Sequence, residues 1–130
     1  MPIPDMPPAV LQFFQASQNG DADAWSGAFA EDALFYDPVG TPPLEGRAAI
    51  HDLVVSVITG FSPLLGLIPT EAHTAGDSVA VAWHGAAITR DRKPVDWSGI
   101  SVFELDDTGR IREARAYFDR AAFQARANGG

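Results

Sequence analysis

The chain has 130 residues, no cysteine, and a formal net charge of −8 from nine basic and 17 acidic side chains. This length suits one domain, because two halves would each be too small to bury an adequate core. The negative charge would repel the phosphates of a nucleic acid, and the lack of cysteine excludes disulfides and thiolate chemistry. We therefore expect one domain over residues 1–130, with residues 1–7 as a flexible tail.

Neither a secretion signal nor a membrane span is indicated by the sequence. The first eight residues contain no basic group and no apolar run of signal length. The uncharged stretch 53–70 is interrupted by two glycines and two prolines. We predict a cytoplasmic protein with no membrane partner.

The first half of the chain predicts three helices. An amphipathic stretch that enters through two prolines and ends at Gly20 predicts the first, and Asp21 is placed to cap a second over residues 22–30. Apolar residues at helical spacing predict a third helix over residues 46–59. All three have an apolar face that must pack against another layer.

The second half changes to an alternating pattern, which predicts four strands joined as an antiparallel meander. Before them, a short β-rich run ends at Pro38, so Asp37 lies at a strand end with an extended backbone. Asp119 is placed to cap a last helix that runs through Ala127. The four predicted strands are 67–73, 78–89, 95–105 and 110–118.

Helices followed by a curled sheet define an α+β fold in which the helices cover one sheet face. We expect the three N-terminal helices to pack in the concave face of a strongly curved antiparallel sheet. The result would be a cone-shaped, cystatin-like α+β barrel. A ligand would enter such a cone through its mouth.

One stretch of sequence carries a specific resemblance. Residues 29–50, FAEDALFYDPVGTPPLEGRAAI, closely resemble the corresponding part of the ketosteroid isomerases. They are also similar to small polyketide cyclases and to the wider superfamily of nuclear transport factor 2. The turn at Asn19-Gly-Asp and the hairpin at Asp106-Asp-Thr-Gly fit the same pattern. The resemblance implies this fold for nearly the whole chain, within a superfamily that contains enzymes and non-catalytic binders.

By this resemblance, Asp37 corresponds to the aspartate with which the isomerases move a proton between two carbons of an enone. That aspartate works against an oxyanion hole of one tyrosine and one protonated aspartate. Here Phe13 stands at the tyrosine position and Ser101 at the acid position, while Val54 replaces another tyrosine. Losing one oxyanion donor typically costs about 10²–10³ in turnover, so steroid isomerisation is disfavoured.

The resemblance and the strand alternation together predict an apolar pocket. If Ser101 points inward, alternate residues of its strand and of the neighbouring strand do so as well. Small residues among them would leave volume, and aromatic residues would form the walls. The predicted substrate-binding residues are Phe13, Trp25, Phe29, Val54, Trp83, Trp97, Gly99, Phe103, Ala116 and Phe118, with Ser101 as an auxiliary polar contact.

Several polar residues also have simpler structural interpretations. Asp37 could merely bind a turn, as aspartates beside proline and glycine often do. Because neighbouring strand residues face opposite ways, only one of Trp83 and His84 can face the pocket. The resemblance places Trp83 inside, and the opposite orientation would put an imidazole in the cavity. No cluster of histidine and carboxylate residues has metal-ligand spacing, so we expect no metal and no other cofactor.

Two functional hypotheses remain open. The first is a cofactor-independent isomerase or cyclase that acts on a polyketide-, terpenoid- or steroid-like substrate by proton transfer at Asp37. The second is a non-catalytic protein that binds a small hydrophobic molecule. A hydrolase is disfavoured, because Ala116 stands where related epoxide hydrolases carry a strand aspartate.

The predicted layout leaves the outer face of the sheet without helices. Apolar residues on that face would form an exposed patch, which favours a homodimer. Its candidate residues are His84, Ile100, Val102 and Tyr117.

Overall fold

A computed structural model describes residues 3–127. The helices are α1 (Pro8–Asn19), α2 (Ala22–Gly27), α3 (Arg47–Thr59) and α4 (Arg120–Ala127). The strands are β1 (Phe29–Tyr36), β2 (Leu44–Glu45), β3 (Leu64–Ala75), β4 (Ser78–Ile88), β5 (Pro94–Leu105) and β6 (Ile111–Tyr117). Of the predicted tail, residues 1 and 2 lie outside the described residues, and Met6 packs against the core.

All six strands belong to one sheet with the order β2-β1-β6-β5-β4-β3. Strands β3 to β6 form the predicted antiparallel meander. The α+β class is confirmed, but the sheet is mixed, because β1 lies parallel to β6, and it is not closed into a barrel. No hairpin joins β1 to β6, so no local turn signal fixes the direction in which they pair.

The predicted second helix was wrong at its C-terminal end. Helix α2 stops at Gly27, and Phe29 already belongs to β1, where it pairs with Ile111. Arg47 donates hydrogen bonds to the Phe29 carbonyl oxygen at 3.1 and 2.7 Å. These partners lie far along the chain, so the apolar run around Phe29 carries no local signal for the change from helix to strand.

The turns that order the helices are confirmed. Gly20 ends α1 in the left-handed conformation with a φ of 63°. Asp21 caps α2 by accepting a hydrogen bond from the Ala24 amide at 3.0 Å. Asp119 caps α4 in the same way, accepting from the Ala122 amide at 3.0 Å.

Helix α1 lies directly against the backbone of β3. The Leu67 amide donates to Ser17 Oγ at 3.0 Å, and Gln18 Nε2 donates to the Leu67 carbonyl at 2.9 Å. Between them, a Cβ built on Gly66 would lie 2.6 Å from the Cα of Gln18. Helix and strand can therefore approach this closely only because glycine has no Cβ at this position.

The outer sheet face presents paired apolar side chains to solvent. Ile68 is 46% exposed, Ile100 50% and Tyr117 46%. Ile100 pairs with Tyr117 across β5 and β6, and Ile68 pairs with His84 across β3 and β4, so the four share this face. The homodimer through this face stays a prediction.

Candidate active site

A cavity of about 230 Å³ opens between the helices and the inner face of the sheet. Its volume is below the roughly 300–1,000 Å³ typical of ligand pockets, so it suits a compact molecule. Its lining is mainly aromatic and aliphatic and includes four polar residues, Asp37, Ser101, Arg120 and Gln124. The apolar lining residues are Phe13, Trp25, Phe35, Leu53, Val54, Val57, Phe61, Leu67, Trp83, Trp97, Ala116, Phe118 and Phe123.

Three of the predicted substrate-binding residues lie outside this lining. Phe29 and Phe103 are fully buried in the core, so they have no surface to offer a ligand. A Cβ on Gly99 would lie 2.5 Å from Cζ2 of Trp83. Gly99 therefore receives the indole of Trp83 and does not leave volume for a substrate, which corrects the expectation of a roomy pocket at this point. The other predicted site residues line the cavity.

A hydrogen-bonded loop positions Asp37 just beyond the end of β1. The Val39 amide donates to the Ala116 carbonyl at 2.8 Å, which ties the loop to β6. The Thr41 hydroxyl donates to the Pro38 carbonyl at 2.7 Å. These bonds fix the backbone around Asp37, so its side chain has a defined position on the cavity wall.

The surroundings of Asp37 make it a stronger base than an ordinary aspartate. Burial raises the pKa of its carboxyl group from 3.8 to about 6, and the charge of Arg120 opposes part of that rise. By surface area the residue is only half-buried, since part of its surface faces the cavity. A carboxylate with this pKa is ionised at neutral pH, and its pKa is close enough to neutrality for general base catalysis.

The same pKa predicts a stabilising variant. Between the ordinary pKa and about 6, the folded state keeps a proton on Asp37 that the unfolded state has lost, so stability falls as pH rises through this window. Asp37→Asn removes that penalty and should raise the free energy of unfolding at pH 8 by about 1–3 kcal/mol. Urea denaturation at pH 8 and pH 4 measures it, with the gain shrinking towards zero at pH 4. Asp107→Asn in an exposed turn is the control, and an equal gain there would contradict the assignment.

On the sheet side of the cavity, Ser101 is held by an indole. Ser101 is buried on β5, and Trp83 Nε1 donates a hydrogen bond to its Oγ at 2.9 Å. Since Oγ accepts from the indole, the hydroxyl proton can be donated to an acceptor in the cavity. Ser101 thus supplies a fixed donor on an otherwise apolar wall.

Glycines on the sheet let two indoles lie close to the strands. Trp83 covers Gly99, and Trp97 covers Gly85, where a Cβ would lie 2.7 Å from Cε2 of Trp97. Trp97 also contacts Phe123 of α4 edge-to-face, with 4.7 Å between the ring centroids. The sheet wall and the last helix are therefore joined through aromatic contacts.

His84 lies outside the cavity. Its Nδ1 is 2.9 Å from Ser98 Oγ, and its Nε2 is 3.7 Å from a carboxylate oxygen of Asp96. Trp83 takes the inner position, as the resemblance implied. The possibility of an imidazole in the cavity is thereby excluded.

Sequence reasoning missed the contribution of α4 to the cavity. Arg120, Phe123 and Gln124 line it at helical spacing, whereas the sequence predicted this helix and its cap but no part for it in the site. The pattern was available in the sequence, but a short helix rich in alanine and polar residues gave no reason to prefer that face.

Trp25 has a property that the sequence could not predict. Within residues 3–127, its buried indole N–H has no hydrogen-bond partner.

Helices packed on one six-stranded mixed sheet are consistent with the cone fold of the nuclear transport factor 2-like superfamily. The SnoaL-like domain family matches residues 10–114, and the chain belongs to this family. The predicted relationship to ketosteroid isomerase-like and polyketide cyclase-like proteins is thereby confirmed. No helix within residues 3–127 is long and apolar enough to cross a membrane.

Solved structures share this fold over nearly the whole chain. SalBIII, an epoxide hydrolase/cyclase-like enzyme with a role in pyran ring formation in the polyether salinomycin, is 30% identical, with a TM-score of 0.78 over 87% of this chain and 89% of SalBIII. TerC, co-crystallised with polyporic acid, is 19% identical, with a TM-score of 0.81 over 93% and 96% of the two chains. A hypothetical protein of ketosteroid isomerase-like fold from Catenulispora acidiphila, in complex with trimethylamine, is 17% identical, with a TM-score of 0.83 over 95% of each chain.

Proposed function

We propose that this protein is a cofactor-independent isomerase or cyclase in which Asp37 acts as the general base. The observation that carries the proposal is a carboxylate with a pKa of about 6 on the wall of an apolar cavity. Membership of the SnoaL-like family and the similarity to the cyclase-like enzyme SalBIII support the same class of reaction.

The chemical step is proton removal from a carbon next to a carbonyl group. The Asp37 carboxylate takes the proton, the electron pair of the C–H bond forms a C=C bond, and the carbonyl π pair moves to oxygen. If a C=C bond adjoins the deprotonated carbon, the enolate is a dienolate, and return of the proton from Asp37 to its far carbon completes an isomerisation. Alternatively, attack of the enolate carbon on a second carbonyl closes a ring, and the alkoxide so formed takes the proton back from Asp37. The mainly apolar walls provide a weakly polar environment, which keeps the Asp37 carboxylate basic enough to take the proton.

The size of the cavity limits the substrate. A volume of about 230 Å³ accommodates one or two fused rings more readily than the four rings of a steroid. We therefore favour a compact polyketide- or terpenoid-derived ketone. Ser101 would orient it by donating a hydrogen bond to a substrate oxygen.

Deuterium exchange tests the proposal without knowledge of the natural substrate. The bicyclic ketone 2-tetralone is incubated with the protein in D₂O, and deuterium uptake next to the carbonyl is followed by mass spectrometry. Uptake well above the buffer rate, lost in Asp37→Asn, supports a general base in the cavity. Uptake at the buffer rate across 2-tetralone and a panel of similar bicyclic ketones would contradict it.

The second hypothesis, a non-catalytic binding protein, has one observation in its favour. Phe13 and Val54 make the inner end of the cavity apolar, where the isomerases carry tyrosines. Native mass spectrometry of the purified protein distinguishes the two functions. A co-purifying hydrophobic molecule that the protein leaves chemically unchanged would favour binding alone.

The indole that holds Ser101 provides a further prediction. Trp83→Phe removes the N–H that donates to Ser101 Oγ but keeps an aromatic ring over Gly99. Because one hydrogen bond contributes about 1 kcal/mol, we expect the exchange rate to fall by roughly 5-fold. The same change in a Ser101→Ala background should have little additional effect, since the two residues act through one hydrogen bond. Additive losses in this double-mutant cycle would contradict the coupling.

A further inference from the structure

Helix α4 presents two polar side chains to the cavity, one turn apart. Arg120 begins the helix, and Gln124 follows at a spacing that places both on the same face. Both line the cavity together with Phe123. This face brings a guanidinium and an amide to a site whose remaining lining is mostly apolar.

Contacts at both ends of α4 hold this face in place. Asp119 caps the first turn, and Arg126 Nη1 donates to the Asp96 carbonyl at 3.0 Å near the last turn. Between them, Phe123 packs against Trp97 at 4.7 Å and against Phe118 at 6.4 Å between ring centroids. These contacts fix the backbone of α4 beside the cavity, and from this backbone the Arg120 side chain reaches the lining while remaining solvent-exposed.

The guanidinium of Arg120 is available to a ligand. Within residues 3–127 it forms neither an ion pair within 4.0 Å nor a side-chain hydrogen bond. It is the cationic side chain of the cavity lining, and Asp37 is the anionic one. Both groups line the same cavity, and the charge of Arg120 lowers the pKa of the Asp37 carboxyl group against the larger effect of burial.

We propose that Arg120 is the electrophile of the site and binds the substrate oxygen that becomes negative when Asp37 takes a proton. The neighbouring Gln124 amide would donate to the same oxygen. This inference rests on the proposed function of Asp37 and adds the group that stabilises the product of its proton transfer. It also defines the substrate class as compact carbonyl compounds whose enolate oxygen lies at the α4 side of the cavity.

Charge balance supports this role. Before the step, the cavity lining carries the Asp37 carboxylate and the Arg120 guanidinium, one negative and one positive charge. When the proton moves, Asp37 becomes neutral and one negative charge appears on the substrate oxygen, so Arg120 faces a new anion and the net charge of the site is unchanged. A cation that lies beside developing negative charge stabilises it and so lowers the barrier. The Ser101 hydroxyl is a neutral and therefore weaker donor than the guanidinium, and its role is to orient the substrate.

A matched pair of ligands tests the inference by binding alone. The probes are 2-hydroxy-1,4-naphthoquinone, whose acidic hydroxyl is ionised at pH 5.5, and its neutral methyl ether. At this pH the Asp37 carboxyl group is mostly protonated, as it would be after proton transfer. Quenching of the cavity tryptophans reports affinity. We expect the wild type to prefer the anion at least 10-fold, Arg120→Met to abolish the preference, and Arg120→Lys to retain part of it.

The control variant is Arg112→Met, which removes the same charge from an exposed position of β6 outside the cavity lining. It should keep the preference for the anion. If it loses the preference as Arg120→Met does, the net charge of the protein and not the Arg120 guanidinium is responsible, and the inference is overturned. A wild type that binds both ligands equally, or neither, also overturns it.

A kinetic measurement separates this inference from the proposed function. If Arg120 stabilises the enolate, Arg120→Met should lower the turnover number for 2-tetralone exchange by about 10²–10³-fold, with little change in KM. Exchange that depends on Asp37 but is unchanged in Arg120→Met would retain the general base and reject the electrophile. Exchange by the wild type that is no faster than in buffer alone would reject the proposed function itself.

Discussion

Asp37→Asn is expected to lower the rate of deuterium exchange into 2-tetralone by about 10²–10⁴-fold, the usual contribution of a positioned general base. An amide cannot accept the proton, yet it has nearly the shape of the carboxyl group, so the cavity should be unchanged. In the wild type the rate should rise with pH and level off above a pKa of about 6, because only the ionised carboxylate is a base. Mass spectrometry at a series of pH values measures both effects.

Two variants make this result specific. Asp107→Asn, in an exposed turn, should exchange at the wild-type rate. Asp37→Glu keeps a carboxylate but displaces it by one methylene group, so it should retain a measurable rate with a similar pH profile. A wild-type rate that is independent of pH between 4 and 8, or a fully active Asp37→Asn, would remove Asp37 from the mechanism.

Most of the fold could be predicted from the sequence because local residue patterns mark where its helices, strands and turns begin and end. Gly20, Asp21 and Asp119 are turn and cap residues whose positions follow from backbone chemistry. The meander follows from alternation between turns, where each strand pairs with its neighbour in sequence. The parallel pairing of β1 with β6 lacks such a signal, since the partners are separated by most of the chain.

The candidate site was predicted in part, for a related reason. The resemblance, together with strand alternation, predicted that Ser101, Trp83 and Ala116 face the pocket, and all three line the cavity. Alternation gives the face but not the space above it, so Gly99 was taken as empty volume when the indole of Trp83 fills it. Burial depth is a property of the packed core and cannot be obtained from strand periodicity.

The contribution of Arg120 to the cavity could not be predicted from the sequence. An arginine directly after a helix cap is usually a solvated side chain, and its sequence context gives no other indication. It lines the cavity because α4 folds back over Trp97, which depends on aromatic contacts between residues from distant elements. The proposed role of Arg120 can therefore be inferred only from the structure, in which α4 packs against Trp97.

Gly66→Ala is expected to cause the largest loss of stability among the substitutions considered, about 3–5 kcal/mol in the free energy of unfolding. Gly66 has a φ of +106°, a conformation that side chains disfavour. A Cβ there would lie 2.6 Å from the Cα and 2.7 Å from the backbone nitrogen of Gln18, so helix α1 itself must move. That movement would strain the bonds of Ser17 and Gln18 to Leu67.

Gly40→Ala is the matched control for this loss. Its φ of +104° is nearly the same, but no atom lies within 4 Å of the added Cβ, so it measures conformational strain without the clash. We expect about 1–2 kcal/mol for Gly40→Ala. Urea denaturation of both variants gives the difference, which is the contribution of the close approach between α1 and β3. Equal losses in the two variants would mean that α1 can shift on the sheet at little cost. The contact with Gly66 would then not determine the position of α1 on β3.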